Sequence, residues 1–202
     1  MKQKKTELDA LRTQAKDCRA CDLWRHATQT VFGEGKATAK AVLVGEQPGE
    51  AEDVEGRPFV GPAGAVLDQA LRDAGLDRKS LYVTNAVKHF KWELRGKRRL
   101  HKTPAQQEIE ACHRWLEDEL AAIDPALVIC LGGTASRAVT GRTVKVGEMR
   151  GKIHGRDTGY ALLFTVHPSY VLRVPSDSRA TIYDGPVADL RIAAGFLKKP
   201  RS

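Results

Sequence analysis

Long apolar runs are missing from this 202-residue sequence, because none approaches the roughly 18 residues that a membrane-spanning helix requires. The opening residues, MKQKKTELDALRTQ, include no apolar block of about 7–15 residues, so we expect no secretory signal and a cytosolic location. Repeats and low-complexity tracts are absent as well. The segment GEGKAT lacks the third glycine of a dinucleotide-binding fingerprint, since Thr38 stands there, and it precedes an apolar run instead of following one. Dinucleotide binding is therefore not expected.

Cysteine is also scarce, with four residues in all. In a cytosolic chain, cysteines favour metal binding or catalysis over disulfides. With 42% apolar and 29% charged residues, a chain of this length can bury a full core. We expect a single domain over residues 1–202, with a loose tail at 199–202.

Basic charge is abundant and concentrated in one segment. The chain carries a net charge of +8, and Lys88–Lys102 alone contributes +6, from seven Lys and Arg residues against Glu93. A local basic segment on a chain of pI ≈ 9.4 favours an anionic polymer such as nucleic acid as partner. The alternative is a solvated loop that keeps the protein soluble. Two histidines inside the segment, His89 and His101, weigh against that alternative.

Apolar runs and helical patterns alternate along the chain, which predicts an α/β fold: a three-layer αβα sandwich around a mostly parallel four-stranded sheet. The four predicted strands are 41–44, 81–84, 126–131 and 161–166. Predicted helices cover 6–16, 62–74, 135–139 and a final segment after about Asp184, and another begins at Pro104, with Thr103 and Gln106 forming a capping box. We expect loops or irregular structure at 50–57, 86–102, 141–159 and 169–184.

Polar residues stand at the carboxyl ends of the predicted strands, where ligands bind in sheets of this type. The segment Gly45–Gly49, Asn85, Gly132–Thr134 and His167–Ser169 occupy these ends. The sequence therefore predicts a site at this edge of the sheet.

A metal site is the second candidate. Cys18 and Cys21 form a CxxC pair, and Cys112 with His89 could complete a four-ligand set that suits zinc or an iron–sulfur cluster. Cys130 is another candidate for the fourth ligand, but it lies within a predicted strand, where a free cysteine usually behaves as a small apolar residue. Four unrelated buried thiols are the remaining alternative.

Several motifs, in this order along the chain, together resemble those of the iron–sulfur uracil-DNA glycosylases, and in detail the UdgX type, a relative of family 4. They are GEQPGEAEDVEGRPFVGPAG, LYVTNAVKHF, KRRLHKTP, ACHRWL and TVHPSYVLR. The KRRxH insertion marks the UdgX type; its usual isoleucine is Leu100 here, and His89 stands where family 4 enzymes place a cysteine. The resemblance runs from Cys18 to the last predicted helix. It implies a 4Fe-4S cluster held by Cys18, Cys21, His89 and Cys112.

The resemblance also implies that the protein releases uracil from DNA, after flipping the base out of a duplex or taking it from a single strand. The implied uracil-binding residues are Gly45, Phe59, Asn85 and His167. Phe59 would stack on the ring, although a core position is the plainer reading of such a residue. The amide of Asn85 offers one donor and one acceptor that match uracil and mismatch cytosine, although it could equally form a turn. His167 would donate to uracil O2 as negative charge develops on the leaving base.

The implied catalytic residues are His101, Glu46, Gln47 and His167. A neutral His101 would attack the sugar C1′ and remain attached, with Glu46 accepting its proton and Gln47 orienting His101 or the base. The implied DNA contacts are Lys97, Arg98, Arg99, Ser169, Leu172 and Arg173, with Leu172 or Val171 as a wedge in the base stack.

The expected partners are uracil-containing DNA, single-stranded and also double-stranded, and free uracil as product. We expect no membrane partner and a monomer in the bacterial cytosol or nucleoid. Three alternatives stay open. One is a turning-over enzyme in which Glu46 positions water and His101 only contacts DNA. The others are a non-enzymatic iron–sulfur DNA-binding protein and a zinc-stabilised α/β module.

Overall fold

A computed structural model describes residues 2–155 and 159–199, and six of its strands form one central sheet. The strands are β1 (Glu34–Gly35), β2 (Ala41–Gly45), β3 (Tyr82–Asn85), β4 (Trp92–Arg95), β5 (Arg98–His101), β6 (Leu127–Leu131), β7 (Ile153–His154) and β8 (Ala161–Thr165). The sheet order is β1-β3-β2-β6-β8-β7, and the central four strands run parallel. All four were predicted from the sequence to within one residue at each end. Their residues are almost all buried, which explains why their apolar runs are continuous.

The expectation of four strands is corrected to six, because a short strand pairs antiparallel at each edge of the sheet. β1 pairs with β3, and β7 pairs with β8. Each edge strand has two residues, which is too short for a periodic pattern in the sequence to reveal it. The segment 141–159, expected to be hairpin-like, contains only the strand β7 among its described residues, and its partner β8 lies beyond that segment.

The helices cover both faces of this sheet. They are α1 (Lys2–Ala15), α2 (Glu50–Glu55), α3 (Pro62–Asp73), α4 (Gln106–Ile123), α5 (Gly133–Thr140), α6 (Val146–Met149), α7 (Ser169–Arg173) and α8 (Ser176–Leu197). Apolar residues of α1, α4 and α5 pack on one face, and those of α3 and α8 pack on the other. The predicted three-layer αβα sandwich is thereby confirmed. Among the described residues, no helix is both long and apolar enough to cross a membrane.

Three segments expected to be loops contain helices. The acidic stretch after Gly49 is α2, the 141–159 segment contains α6, and the segment before Asp184 contains α7 and the first turns of α8. These helices lack an apolar stripe of normal length, since α2 and α7 have only six and five residues. The last helix therefore begins at Ser176 instead of after Asp184.

The start predicted for α4 is also corrected. The helix begins at Gln106, with Ala105 at its N-cap, and not at Pro104 with Thr103 as cap. Glu108 reaches back to accept a hydrogen bond from the Ala105 N–H, so the carboxylate three residues inside the helix fixes its first turn. Of the expected loose tail, only Lys199 lies within the described residues.

The basic segment, expected to be a loop, is a β-hairpin made of β4 and β5. The strands pair antiparallel, with Trp92 opposite His101 and Arg95 opposite Arg98. Gly96 begins the two-residue turn with φ +63°, a conformation that glycine adopts without strain. β4 alternates apolar and charged residues, but it has only four residues, and β5 carries Arg98 and Arg99 on opposite faces and does not alternate, so the pattern is too short to predict the hairpin.

Candidate active site

The polar residues predicted at the strand ends lie together at one edge of the sheet. β2 ends at Gly45 directly beside the end of β3 at Asn85. β6 runs into Gly132, whose N–H donates to the carbonyl of Thr165 at the end of β8. Because the strands are parallel, their carboxyl ends bring Glu46, Asn85, Thr134 and His167 to the same side of the fold.

A buried amide forms the floor of this site. Asn85 is 2% exposed, and its Oδ1 has no hydrogen-bond partner. A Cβ at Gly45 would lie 2.3 Å from that oxygen and 2.5 Å from Cζ of Phe59. Only glycine at position 45 lets the amide and the aromatic ring approach β2 this closely.

The ring of Phe59 stands beside that of His167, with the centroids 5.9 Å apart and the planes inclined by 32°. Phe59 has φ +55°, which is unusual for a bulky residue and is found where the surroundings enforce it. Arg78 supplies part of that constraint, because its guanidinium donates to the carbonyls of Pro58 at 2.9 Å and Phe59 at 3.4 Å while paired with Asp68 at 2.6 Å. No pattern in the sequence indicates this role of Arg78, because its guanidinium acts on backbone atoms 19 and 20 residues away.

The proton of His167 can be assigned from its contacts. Its Nδ1 accepts a hydrogen bond from the Ser169 N–H at 3.2 Å, and the Ser169 hydroxyl lies 2.8 Å from the same nitrogen. A backbone N–H can only donate, so the neutral ring carries its proton on Nε2. Burial, with smaller contributions from the neighbouring His101 and Arg173, lowers the pKa of His167 to about 4. His167 is therefore a neutral hydrogen-bond donor at pH 7.

Glu46 and His101 face each other at the mouth of the site. Glu46 Oε1 lies 3.4 Å from His101 Nε2, and the hydroxyl of Thr134 donates to the other carboxylate oxygen. Burial lowers the pKa of His101, the Glu46 carboxylate works against this, and Arg173 adds to it. The imidazole of His101 is therefore mostly neutral at pH 7 and keeps a free lone pair.

Gln47 holds the hairpin that carries His101. Its Nε2 donates to the carbonyls of Lys91 and Lys102, both at 3.0 Å, and its Oε1 accepts from the Lys91 N–H at 3.1 Å. Lys91 directly precedes β4, and Lys102 directly follows β5. The side chain thus joins the two ends of the hairpin, which fits the predicted role of orienting His101 through the backbone.

The three consecutive basic residues of the hairpin differ in their surroundings. Lys97 and Arg98 are exposed. Arg99 points towards α2, where it pairs with Glu50 at 3.1 Å and with the buried Asp53 at 2.8 Å. Arg99 thus fixes the hairpin to the protein body, whereas its two neighbours face solvent.

The predicted DNA contacts of the HPSYVLR segment lie on or beside α7. Ser169 hydrogen-bonds His167, as described above. Leu172 is 38% exposed and Val171 only 6%, so Leu172 is the one of the two that could reach a base stack. The adjacent Tyr170 and Arg173 are exposed as well.

Glu52 joins two loops of the site, the one that follows β2 and the one that precedes α3. One carboxylate oxygen accepts from the Gly49 N–H at 3.0 Å and the other from the Gly61 N–H at 2.8 Å. These loops carry Glu46 and Phe59. An acidic residue in an acidic stretch gives no signal for this role in the sequence.

The predicted metal ligands come from three parts of the chain: Cys18 and Cys21 follow α1, His89 precedes β4, and Cys112 lies in α4. The indole N–H of Trp115 donates to Cys18 Sγ at 3.1 Å, and the Lys88 N–H donates to Cys112 Sγ at 3.2 Å. Such hydrogen bonds to sulfur are typical of thiolate ligands. The pKa of Cys112 is raised to about 12, mainly by burial; the neighbouring Lys88 acts in the opposite direction, and the thiols of Cys18 and Cys21 act in the same direction as burial.

His89 has the protonation state of a ligand. The Thr30 hydroxyl donates its single proton to the Ala15 carbonyl at 2.9 Å, so its oxygen accepts from His89 Nε2, also at 2.9 Å. Nδ1 is then unprotonated and able to bind a metal. His89 and Cys18 line one cavity of about 150 Å³. Within the described residues, no three His, Cys, Asp or Glu side chains are grouped to hold a single ion. The donor chemistry suits the implied group, whereas Cys130 lies buried in β6.

Comparison with known proteins identifies a family. The family model of the Uracil DNA glycosylase superfamily matches residues 32–191. The chain is 36% identical over 193 residues to the Type-4 uracil-DNA glycosylase of Thermotoga maritima, covering 95% of each chain. It is 35% identical over 177 residues to the Type-4 uracil-DNA glycosylase of Pyrobaculum aerophilum, covering 84% of this chain and 87% of that one. Identity to the Type-5 uracil-DNA glycosylase of the same organism is 31% over 147 residues, covering 65% of this chain and 62% of that one.

Proposed function

Because the chain belongs to the uracil DNA glycosylase superfamily, we propose that it removes uracil from DNA and then captures the abasic sugar covalently through His101. The observation that carries the first part is the unpartnered Oδ1 of the buried Asn85. Leaving such an acceptor unsatisfied costs about 1–3 kcal/mol, which the N3–H of a bound uracil would recover. Cytosine presents an acceptor at N3 and would leave the cost in place.

The neighbouring residues suit departure of the base. Phe59 offers a ring face beside His167, and His167 presents an Nε2–H that can donate to uracil O2. As the N-glycosidic bond breaks, its electrons move onto uracil, and a fixed donor at O2 stabilises the resulting anion. A neutral donor with a pKa of about 4 fulfils this role across the neutral pH range.

Covalent capture rests on the pair formed by Glu46 and His101. A lone pair of the neutral imidazole forms the bond to C1′ as uracil leaves, and the remaining N–H proton passes to a carboxylate. Glu46 is suited to accept that proton, since its Oε1 lies 3.4 Å from the ring and Thr134 holds its other oxygen. The half-exposed position of His101 allows a sugar to approach. This is the UdgX type of behaviour.

The second candidate function is ordinary turnover, and the Glu46 carboxylate favours it. Its negative charge would stabilise a cation-like sugar and position a water molecule, with His101 as a DNA contact only. A denaturing gel of protein incubated with a uracil-containing single-stranded oligonucleotide separates the two functions. A shifted band that survives heat and detergent supports capture, and uracil release without such a band supports turnover.

The His101→Ser variant sharpens the test. Serine removes the nucleophile and opens space for water, so we expect no adduct and continued release of free uracil. Crosslinking by this variant would point to another nucleophile. His113→Ser is the matched control, because His113 lies on the exposed side of α4 and pairs with Glu117. That control should form adduct at the unaltered rate.

We further propose that Cys18, Cys21, His89 and Cys112 hold a 4Fe-4S cluster. The hydrogen bonds to two of the sulfurs and the free Nδ1 of His89 support this. A bound cluster would supply structural cross-linking at the base of the hairpin, because His89 precedes the hairpin and Cys112 follows it. Zinc analysis and iron analysis of anaerobically purified protein distinguish this proposal from a zinc-stabilised module.

The proposed substrate form is DNA with an accessible uracil, single-stranded or flipped from a duplex, bound by one copy of the chain. Lys97, Arg98, Ser169, Leu172 and Arg173 remain the proposed DNA contacts, with Arg99 acting through the hairpin. We propose one domain over residues 1–202, since the described helices all pack on one sheet or against its loops, and a location in the bacterial cytosol or nucleoid.

A further inference from the structure

A fully buried ion pair lies beneath the site. Lys88 Nζ is 2.6 Å from Glu119 Oε2, and both side chains are 0% exposed. Burying two charges is costly, and apolar residues of similar size often stabilise a protein at least as well. Neither residue belongs to the predicted site. The presence of this pair is therefore weak evidence of a stabilising role, and another role is worth seeking in its contacts.

The three protons of the Lys88 ammonium each have a fixed acceptor. Nζ donates to Glu119 at 2.6 Å, to the Thr84 hydroxyl at 2.7 Å and to the backbone carbonyl of Asn85 at 2.7 Å. An ammonium has three donors, so all of them are used. The last contact holds the peptide of the residue whose side-chain amide forms the floor of the uracil pocket.

Glu119 in turn is held from several directions. Its Oε1 accepts from the Gly33 N–H and the Tyr82 hydroxyl, both at 2.9 Å, and its Oε2 accepts from the Thr84 hydroxyl at 2.8 Å. The carboxylate is thus fixed between α4, β3 and the loop before β1. Lys88 therefore has one available position, with its ammonium against the end of β3.

The backbone around Lys88 completes the arrangement. After Asn85 the chain continues alongside β2, with Ala86 N–H donating to Gly45 O and Val87 N–H donating to Glu46 O. The side chain of Lys88 points back along the chain, so that its ammonium reaches Thr84 and Asn85 at the end of β3. Its own N–H donates to Cys112 Sγ, so that contact survives any change of the Lys88 side chain.

From this geometry we propose that Lys88, fixed by Glu119, is a positioning residue that holds Asn85 where its side-chain amide can pair with uracil. The proposal rests on the proposed uracil-releasing function and adds a determinant of base recognition outside the pocket. An amide reads uracil through one donor and one acceptor on a single edge, so a small tilt of Asn85 weakens both contacts at once. A misplacement of about 1 Å can cost about 100-fold in rate.

The double variant Lys88→Met/Glu119→Gln tests this directly. It removes both charges together, keeps side chains of similar length, and leaves no unpaired buried charge. We expect its melting temperature to stay near that of the wild type, while single-turnover uracil release at saturating DNA slows by about 10- to 100-fold. Affinity for DNA without uracil should be unchanged. Release at the wild-type rate from the folded double variant would overturn the proposal.

Tyr82→Phe is the matched control. It removes one hydrogen bond to Glu119 but leaves every contact of Lys88 in place, so stability should fall while uracil release keeps its rate. Should the double variant fail to fold, Lys88→Met alone provides the same comparison, because it removes the contact with the Asn85 carbonyl while Glu119 keeps its hydrogen bonds from Gly33, Tyr82 and Thr84. An equal loss of rate in Tyr82→Phe and Lys88→Met would show that general stability, and not positioning, is responsible.

Crystal structures of the wild type and the double variant give a readout that does not depend on activity. We expect the side chain of Asn85 to shift or to occupy several conformers when its carbonyl is no longer held. An unshifted, single conformer would overturn the proposal even if the wild-type protein released no uracil. Failure of uracil release by the wild type would instead refute the proposed function.

Discussion

Removing the side chain of Gln47 tests how the hairpin that carries His101 is held. Gln47→Ala deletes three hydrogen bonds to backbone groups of Lys91 and Lys102. Each bond contributes roughly 1 kcal/mol net, so the position of the hairpin against the protein body (its docked state) loses about 3 kcal/mol of stabilisation. This corresponds to a change of about 100-fold in the ratio of docked to undocked hairpin, since 1.4 kcal/mol is a factor of ten.

A quenched single-turnover reaction with uracil-containing single-stranded DNA reports both adduct formation and uracil release. We expect Gln47→Ala to slow adduct formation by about 10- to 100-fold. Uracil release should slow less, because Asn85 and Phe59 are held by β3 and by Arg78, independently of the hairpin. Gln69→Ala is the matched control, since this exposed glutamine on α3 bonds only to neighbours on its own helix. Adduct formation at the wild-type rate in Gln47→Ala would refute the reasoning.

Three further predictions follow from the same site. Protonation removes the lone pair of His101, whose pKa burial lowers below its usual 6.5, so adduct formation should fall in acidic solution with a midpoint below pH 6.5; a midpoint above 6.5 contradicts this. His167, with a pKa of about 4, should add no further change above about pH 5. Gly45→Ala places a methyl group 2.3 Å from the amide that reads the base, so uracil release should be abolished in a protein that still folds, as circular dichroism would verify. Arg99→Ala leaves a buried carboxylate with one fewer partner and should lower the melting temperature by about 2–8 °C, whereas Arg98→Ala should leave it unchanged; equal shifts would contradict the ion-pair assignment.

The central strands could be predicted from the sequence because burial on both faces makes them apolar throughout. β2 and β6 are fully buried and were predicted to within one residue. The hairpin could not be predicted, because its strands have only four residues each, β5 does not alternate, and the hairpin is held by contacts with Gln47 and α2 that are distant in sequence. The helix α2 was expected to be a loop because its six residues are mostly acidic and too few to show an apolar stripe.

The location of the candidate site followed from the rule that ligands bind beyond the carboxyl ends of parallel strands. That rule predicts that Glu46, Asn85 and His167 lie at the same edge of the sheet, and the structure places them there. It could not identify Arg78, Glu52 or the pair formed by Lys88 and Glu119, because these side chains do not follow the end of a strand and act by binding backbone groups or each other. Such supporting contacts are a property of the tertiary structure alone.

The hairpin begins after one buried segment and ends before α4, and none of its strands pairs with the central sheet. Its length and sequence can therefore change without altering the register of any sheet strand. A lineage could gain or lose the hairpin that carries His101 while keeping the same arrangement of Asn85 and Phe59. Protein engineers can use this separation in the same way, by replacing the hairpin between residues 91 and 102 with other hairpins and leaving the rest of the protein unchanged.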